Sequence, residues 1–413
     1  MRETMGEETT ERTLSGITWK LDAENSDYSE FQGGLAPEDY FDRFDEDGEP
    51  EETEEKTWEG YDKANEEYNG AIYTYVPVIP ESEEIPEDTA LPEIHVQVGD
   101  AGIALYADEG ITGSGTEADP YVICTAKQWS KVMGSQRNQY NGSLYNVNKY
   151  IRLGDDIDLS GESWESRTLT TCLDGDGYAL SGISQPLFSV LNGTVKNLIL
   201  SNVTITGDGE HVGAVARTVG NNSQIENCYI SGSLATTGNC AAGGLIGQVQ
   251  SGALTIQNCI VNADIKNQGS VNDSLAGGLV GSVRVVSGSQ LNIKNCIAMG
   301  SVSTNLGRGT GGLVGGPNKT VTINKSVALQ ETIATNSLGY YVNRIFGYTG
   351  DYVQGEGNYA YKDMTLTFAS GSKKIEKPYP LYYGEDVSKT ALLTSNFWKK
   401  TLGWGESNWD IRE

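Results

Sequence analysis

In the middle of the chain, apolar residues return at every second position in short runs: Cys228 and Ile230, Cys259 and Val261, Cys296 and Ala298. A period of two marks a strand with one buried face. The alternation is imperfect, because the intervening Tyr229, Ile260 and Ile297 are not polar. Gly, Asn, Ser and Thr, which favour turns, fill the stretches between the runs. The 3.6-residue helical period is missing from this region.

Two phrases alternate through it. One is Gly243-Gly244-Leu245-Ile246-Gly247, with copies at Gly277-Gly278-Leu279-Val280-Gly281 and Gly311-Gly312-Leu313-Val314-Gly315, their first glycines 34 residues apart. Worn copies stand at Gly213-Ala214-Val215-Ala216 and Arg344-Ile345-Phe346-Gly347. The other phrase is Ile225-Glu226-Asn227-Cys228, Ile256-Gln257-Asn258-Cys259 and Ile293-Lys294-Asn295-Cys296, preceded by Val195-Lys196-Asn197-Leu198 and followed by Ile323-Asn324-Lys325-Ser326. Its asparagines are spaced by 30, 31 and 37 residues, and the variable part is expected on a turn at 285–290.

Repeats of this length built from short strands stack as coils of a solenoid. Equivalent residues then lie about 4.8 Å apart along the axis. A column of Asn197, Asn227, Asn258 and Asn295 is expected to hydrogen-bond side chain to side chain at a turn. The cysteines are expected to form a buried column, acting as small hydrophobes, since parallel neighbours make poor disulfide geometry. The glycines are expected to turn tight corners with φ > 0, their Leu and Val filling the interior. The predicted fold class is all-β: a right-handed parallel β-helix (solenoid) with a small N-terminal β-sandwich or Ig-like module.

The rest of the chain fits around that core. Residues 1–14 are expected to be disordered and 15–98 to form a small acidic all-β module, with strands at Ile72-Tyr73-Thr74-Tyr75-Val76-Pro77 and Leu91-Pro92-Glu93-Ile94-His95-Val96 and a flexible acidic excursion at 41–57. Residues 99–115 read as linker and entry strand, and 116–413 as the β-helix. A solenoid needs its open ends covered. Residues 125–133, with Trp129, Val132 and Met133 on one face, predict a helical N-terminal cap, and the Trp-rich stretch 396–409 predicts a C-terminal one.

Charge separates the same two parts. The net charge is −27, yet residues 1–100 hold 30 Asp/Glu against 6 Lys/Arg, leaving the remainder almost neutral. No basic face is available for phosphates, which excludes nucleic acid as partner. No apolar run approaches the roughly 20 residues of a membrane span, so membrane insertion of this chain is not expected, and it is expected to be a monomer. A secretion signal and an anchor are not read in the chain and are expected outside it.

Candidate chemistry is sparse. Six cysteines without a CxxC pair make no disulfide scaffold, and only two histidines exist, His95 and His211, without an HExxH helix. Asp155, Asp156 and Asp158 form an acidic cluster, but alternation puts Asp156 and Asp158 on one side and Asp155 on the other; a polar strand end is the favoured reading. Asp174-Gly175-Asp176-Gly177 could hold Ca²⁺ through carboxylate oxygens, though a tight turn is the favoured explanation. A glycosidase pair needs two carboxylates about 5–10 Å apart, and Glu226, Asp264 and Asp273 are scattered. Arg217 and Arg284 lack carboxylates at matching repeat positions, and His211 is expected to be exposed without a partner. Tyr340, Tyr341, Tyr348, Tyr352, Tyr359, Tyr361, Tyr379, Tyr382 and Tyr383 could bind carbohydrate or pack the terminal coils; the second is favoured.

The two phrases resemble the GLUG repeats of bacterial surface proteins, including adhesin-like proteins and some IgA-specific metallopeptidases. Further motifs in family order support this: Gly113-Ser114-Gly115-Thr116-Glu117-Ala118-Asp119-Pro120-Tyr121-Val122-Ile123, the Asp155-Asp156-Ile157-Asp158-Leu159 strand, the Asp174-Gly175-Asp176-Gly177 turn, with Asp176 where Asn is usual, and the closing Phe397-Trp398, Leu402-Gly403-Trp404 and Trp409-Asp410-Ile411. The N-terminal module is more loosely similar to Ig-like or β-grasp-like modules of Gram-positive surface proteins. The resemblance implies an extracellular, surface or secreted bacterial module, spanning about 104–413. No metallopeptidase domain accompanies the repeats, so that branch is expected to lend no chemistry. The function expected is adhesin-type binding or a rigid stalk, not an enzyme, with host or microbial glycans or proteins as partners and no catalytic, metal or cofactor residues assigned. The alternative is a carbohydrate-active β-helix enzyme, a polysaccharide lyase or hydrolase.

Overall fold

The structure is a computed structural model. It describes residues 111–134, 149–270, 274–284, 288–337, 341–348, 352–373 and 380–404, and the backbones of four strands before them. Those four, Glu11–Leu14, Ile17–Leu21, Ile72–Val78 and Ile94–Gln97, make one antiparallel sheet in chain order. A strand therefore forms at Glu11–Leu14, inside the stretch expected to be disordered. The described strands lie in a single sheet; the acidic excursion at 41–57 lies outside the described residues.

From Ile111 onward the chain winds as a parallel β-helix. One coil shows the plan: Ser223–Glu226 lies in the first ladder, Tyr229–Thr236 in the second, Ala241–Gly243 in the third and Ile246–Val249 in the fourth, before Ala253–Gln257 returns to the first. Among the described residues the four ladders hold nine, twelve, four and six strands. All pairings between these strands are parallel except the edge pair of Thr365–Phe368 with Gly371–Lys373 in the second ladder.

Each inward position repeats as a column. Val195, Ile225, Ile256, Ile293 and Ile323 stack in register in the first ladder, all buried. Leu200, Ile230, Val261, Ala298 and Ala328 do so in the second, and Ala216, Ile246, Val280 and Val314 in the fourth. Burying one such Leu or Ile contributes about 1.5–3 kcal/mol, and the columns extend this along one continuous core.

Between the first and second ladders sits the asparagine turn. Asn197, Asn227, Asn258 and Asn295 all take φ of 52–54°, a left-handed conformation that Asn tolerates better than most side chains. Their amides form the expected ladder. Asn227 Nδ2 donates to Asn197 Oδ1 at 3.0 Å, Asn258 to Asn227 at 3.1 Å and Asn295 to Asn258 at 3.3 Å. At the lower end Asn197 Nδ2 donates to Asp174 Oδ1 at 2.9 Å; an ionised carboxylate only accepts, so it terminates the chain of donors. At the upper end Lys325 occupies the next turn with φ 51°, and the buried Asn295 Oδ1 has no partner.

The cysteine column lies just beyond. Cys228, Cys259 and Cys296 are buried, and each thiol points at the carbonyl two residues back, at 3.2, 3.1 and 3.2 Å. None of the six cysteines is in a disulfide. In the following coil Ser326 keeps the geometry: its hydroxyl donates to Asn324 O at 3.0 Å and accepts from Cys296 N at 3.1 Å. Burial pushes the Cys259 thiol well above its ordinary range.

The Gly-Gly-Leu phrase works differently from the expectation. None of Gly243, Gly244, Gly277, Gly278, Gly311 and Gly312 has positive φ. The chain folds sharply from the third ladder into the fourth, and the glycines line the inside of that bend and the seam between coils. A Cβ on Gly243, Gly277 or Gly311 would lie 2.5 Å from the backbone nitrogen of Gly281, Gly315 or Gly347. A Cβ on Gly244, Gly278 or Gly312 would overlap the carbonyl oxygen of the next coil's residue, namely Gly278, Gly312 and Arg344. Close backbone approach, rather than φ > 0, is what requires glycine here.

Both ends are closed. Helix α1 (Ala126–Gly134) starts with a reciprocal capping box: Gln128 N donates to Thr125 Oγ1 at 3.2 Å, while Gln128 Oε1 accepts from Cys124 N at 2.7 Å and Thr125 N at 3.2 Å. Its Trp129, Val132 and Met133 are buried in the common core, with Trp129 edge-on to Trp164 at 6.5 Å. At the other end Trp404 Nε1 donates to Lys325 O at 3.0 Å, and Trp398 packs on it at 5.0 Å. Trp409 lies outside the described residues. Arg344, in the worn copy of the glycine phrase, is buried and acts as a clasp: it donates to the carbonyls of Tyr383 (2.7 Å), Gly384 (2.8 Å) and Tyr361 (3.3 Å) and to Asp386 Oδ1 (2.8 Å). No helix among the described residues is long and apolar enough to cross a membrane.

Candidate functional site

The acidic candidates are held by the backbone. Asp155 Oδ1 accepts from Asp156 N and Asp156 Oδ1 from Ala179 N, both at 2.8 Å. Asp158 Oδ1 accepts from Ser160 N at 2.8 Å and, more weakly, from the Ser181 hydroxyl. The hydrogen bonds from Ser160 hold the Asp158 carboxyl below its ordinary range. Asp156 and Asp158 tie one coil to the next, Asp155 braces its own turn, and among the described residues the three form no cluster with further His, Cys, Asp or Glu.

Asp174 and Asp176 are likewise engaged. Asp174 pairs with Lys196 at 2.9 Å and Asp176 with Arg152 at 3.2 Å, so cations of the protein already occupy the turn. The Asp174 carboxylate raises the Lys196 ammonium pKa. Glu226 stands in the first ladder, where it accepts from Gln224 at 3.0 Å and Gln257 at 2.6 Å, while Asp264 stands in the second and accepts from Ser301 at 2.6 Å. The two do not meet, and Asp273 lies outside the described residues. Arg217 pairs with Glu210, seven residues earlier, which is not a repeat position.

The tyrosines divide. Tyr359 packs edge-on against Phe397 at 5.1 Å, and Tyr361, Tyr382 and Tyr383 pack on the core. Tyr352 is exposed, and Tyr340 and Tyr379 lie outside the described residues. Tyr341 and Tyr348 line a groove.

That groove is the concave feature that gathers several sequence candidates. It encloses about 820 Å³ at the mouth of the bend between the third and fourth ladders. The fourth ladder supplies Gln248 and Ser282, which are register partners joined by a 3.1 Å bond from Gln248 Nε2 to Ser282 Oγ. Just past the ends of the fourth-ladder strands come Gln250, Arg284 and Asn318. The third-ladder side supplies Arg308, and the last coil supplies Tyr341 and Tyr348. No Asp or Glu is among the described lining residues.

His211 sits at one end, and here the structure corrects the sequence expectation. It is half-buried, and its Nδ1 accepts from Ala241 N at 3.0 Å. Accepting at Nδ1 leaves the proton of the neutral ring on Nε2. Burial, followed by the nearby Arg284 charge, lowers its pKa. Sequence reasoning named His211, Arg284, Tyr341 and Tyr348 separately and missed that they share a groove. The signal was present: aligning the glycine phrases places Gln248 over Ser282 and Gln250 over Arg284 and Asn318 at the same 34-residue spacing.

The metal question can be put to the donor set. Among the described residues no group of three or more His, Cys, Asp or Glu comes together, the chain holds only two histidines, and burial raises the pKa of Cys172, Cys240 and Cys259. These residues do not fit a catalytic zinc.

Comparison with known proteins finds a family model, two relatives and a solved structure. Residues 166–232 match the family model of the M26 IgA1-specific metallo-endopeptidase N-terminal region. The chain is 27% identical over 208 residues to an immunoglobulin A1 protease of Streptococcus sanguinis, which covers 48% of this chain and 11% of the relative. It is 29% identical over 156 residues to an immunoglobulin A1 protease of Streptococcus pneumoniae, covering 38% and 8%. The chain thus spans about a tenth of the length of these relatives. A crystal structure of a candidate immunoglobulin A1 protease from Bacteroides ovatus superposes with a TM-score of 0.58 at 24% identity, covering 71% of this chain and 90% of that one; it shares the fold.

These matches overturn the expectation that the protein is not an enzyme. The two streptococcal relatives are named as proteases, and the matched family is one of metallo-endopeptidases. The expectation rested on finding no reactive cluster inside the repeats, and such a search is blind to chemistry carried elsewhere in relatives some ten times longer. The metallopeptidase branch of the resemblance, set aside on the sequence, is the branch the comparisons support.

Proposed function

We propose that this chain is the β-helical part of the N-terminal region of a secreted or surface-held bacterial protein of the M26 metallo-endopeptidase type, and that the coils bind that protein's target. The observation that carries the reading is where the family match falls. It covers residues 166–232, inside the solenoid, so the matched feature is the coil structure itself. A rigid column of stacked coils with closed ends suits a docking element: it presents a fixed face at little entropic cost on binding. Peptide-bond chemistry is not assigned to these coils, because their donors do not fit the metal. The target named by the relatives is immunoglobulin A1, and we take it as the partner.

Surface plasmon resonance of the 413-residue chain against purified immunoglobulin A1, with immunoglobulin G as control, tests this. Saturable binding selective for immunoglobulin A1 is expected. Equal or absent responses to both immunoglobulins would overturn the target-binding role.

A further inference from the structure

We infer that the groove between the third and fourth ladders is a binding site for a carboxylate-bearing saccharide. The inference concerns the groove's own chemistry and stands apart from what a parent protein cleaves. Four observations lead to it.

The first is charge. Residues 101–413 carry 26 Asp/Glu against 23 Lys/Arg, yet this groove is lined by Arg284 and Arg308 and by no described Asp or Glu. Glu210, the acidic neighbour of His211 in the chain, is held by Arg217. Both arginines are exposed at the rim, where the Arg284 guanidinium can meet a carboxylate in the bidentate geometry suited to it.

The second is the floor. Gln248 is half-exposed, and its amide is fixed by the bond to the buried Ser282 hydroxyl. Its amide oxygen stays directed by that bond as an acceptor for a ligand hydroxyl. Gln250 and Asn318 add further amides in register. Rows of amides that donate and accept match the hydroxyl rows of a sugar better than they match an apolar ligand.

The third is the pair of half-buried tyrosines, Tyr341 and Tyr348, at the end formed by the last coil. A phenol ring offers a flat apolar face with a polar edge and loses little entropy on binding.

The fourth is repetition. The lining comes from successive coils spaced roughly 4.8 Å apart, so polar side chains that differ from coil to coil, Gln250, Arg284 and Asn318, stand at regular steps. An oligosaccharide, with its repeated units, can follow that run.

His211 is neutral at pH 7 because burial and Arg284 lower its pKa, and its Nδ1 is committed to Ala241. It therefore donates only through Nε2 and shapes one end of the groove. The positive charge of the site rests on the arginines.

Isothermal titration of the full chain at about pH 7.5, where the neutral His211 adds no charge, with tetragalacturonate and with sialyllactose, against their neutral counterparts tetragalactose and lactose, tests the proposal. Pentaglutamate serves as the acidic peptide probe. At least one acidic saccharide is expected to bind roughly tenfold tighter than its neutral counterpart, or more, with the affinity falling as NaCl rises. The double variant Arg284→Gln/Arg308→Gln is expected to weaken that binding by roughly tenfold or more, and Arg284→Gln alone, at an exposed side chain, is expected to weaken it with an unchanged melting temperature. Chemical-shift changes confined to Gln248, Gln250 and Tyr341 report the location even if the variant is unstable. Equal affinity for acidic and neutral sugars, binding indifferent to the double variant, or pentaglutamate binding as tightly as the saccharides would each overturn it. The two acidic probes tell a uronate preference from a sialic acid preference.

Discussion

The asparagine ladder stops one turn short, and replacing Lys325 with Asn should complete it. Each ladder amide donates downward from Nδ2 and accepts from above on Oδ1. At Asn295 the side chain is buried and Oδ1 has no partner, because the residue above is Lys325. Leaving a buried acceptor unpaired costs about 1–3 kcal/mol. Lys325 also holds φ 51°, a conformation in which Asn is several-fold enriched over other non-glycine residues. In Lys325→Asn the new Nδ2 would stand above Asn295 Oδ1, and the new Oδ1 would reach solvent, since position 325 is half-exposed. The bond from Trp404 Nε1 goes to the Lys325 carbonyl and survives the change. Against the gain stands lost packing of the lysine stem, worth roughly a few tenths of a kcal/mol at such a site. The expected net effect is a stabilisation of about 1–2 kcal/mol, read as a melting temperature roughly 2–4 °C higher. Urea denaturation followed by tryptophan fluorescence gives the free energy, because Trp398 and Trp404 pack at this end. The decisive control is a cycle with Asn295→Ala. If the benefit of Lys325→Asn persists at full size without Asn295, the gain does not come from the ladder. No change or a loss of stability in the single variant refutes the reasoning directly.

Other substitutions separate the remaining forces. Gly278→Ala is expected to destabilise the chain severely, by about 3 kcal/mol or more, whereas Gly209→Ala, at φ 68° with nothing near its Cβ, should cost only about 1 kcal/mol; urea midpoints compare them. Arg344→Met is expected to cost about 2–4 kcal/mol, because it removes the donors to three carbonyls while the exposed Asp386 stays in contact with water, and Arg344→Lys should recover little of it; thermal unfolding reads both. Buried Cys259 and Cys296 should resist iodoacetamide at about pH 8 until the protein unfolds, and Cys172, pushed up to about 11 by burial, should react slowly; mass spectrometry after timed quenching shows the order. His211 titrates lower in the folded chain than in the unfolded one, so the unfolded state binds the extra proton. Its contribution to stability is full above about pH 6.5 and is lost as pH falls below that. Proton NMR of the two histidines, with His211→Gln as control, should show the low titration and remove the acid-side loss.

Much of the fold could be read in the sequence because a solenoid writes its contacts at one spacing. A residue and its neighbour in space are 30, 31 or 37 positions apart in the asparagine column, so Asn227 over Asn197 and Cys259 over Cys228 show themselves as repetition along the chain. The same logic explains the misreading of the glycines. A repeated Gly states that a Cβ is forbidden, but not whether φ or a neighbouring carbonyl forbids it. At Gly278 it is the carbonyl of Gly312; at Asn227 the constraint is φ. Sequence spacing cannot tell these apart, because both leave the same mark. The groove was harder still to see. A site keeps its shape across coils while its residues differ, as Gln250, Arg284 and Asn318 do along one column, so a search for identical letters passes over it. In a repeat protein, the identical columns hold the chain together and the unequal ones are where recognition can be built. Function in this chain should therefore be sought where register is kept and residue identity is not, and Arg284 stands at such a position.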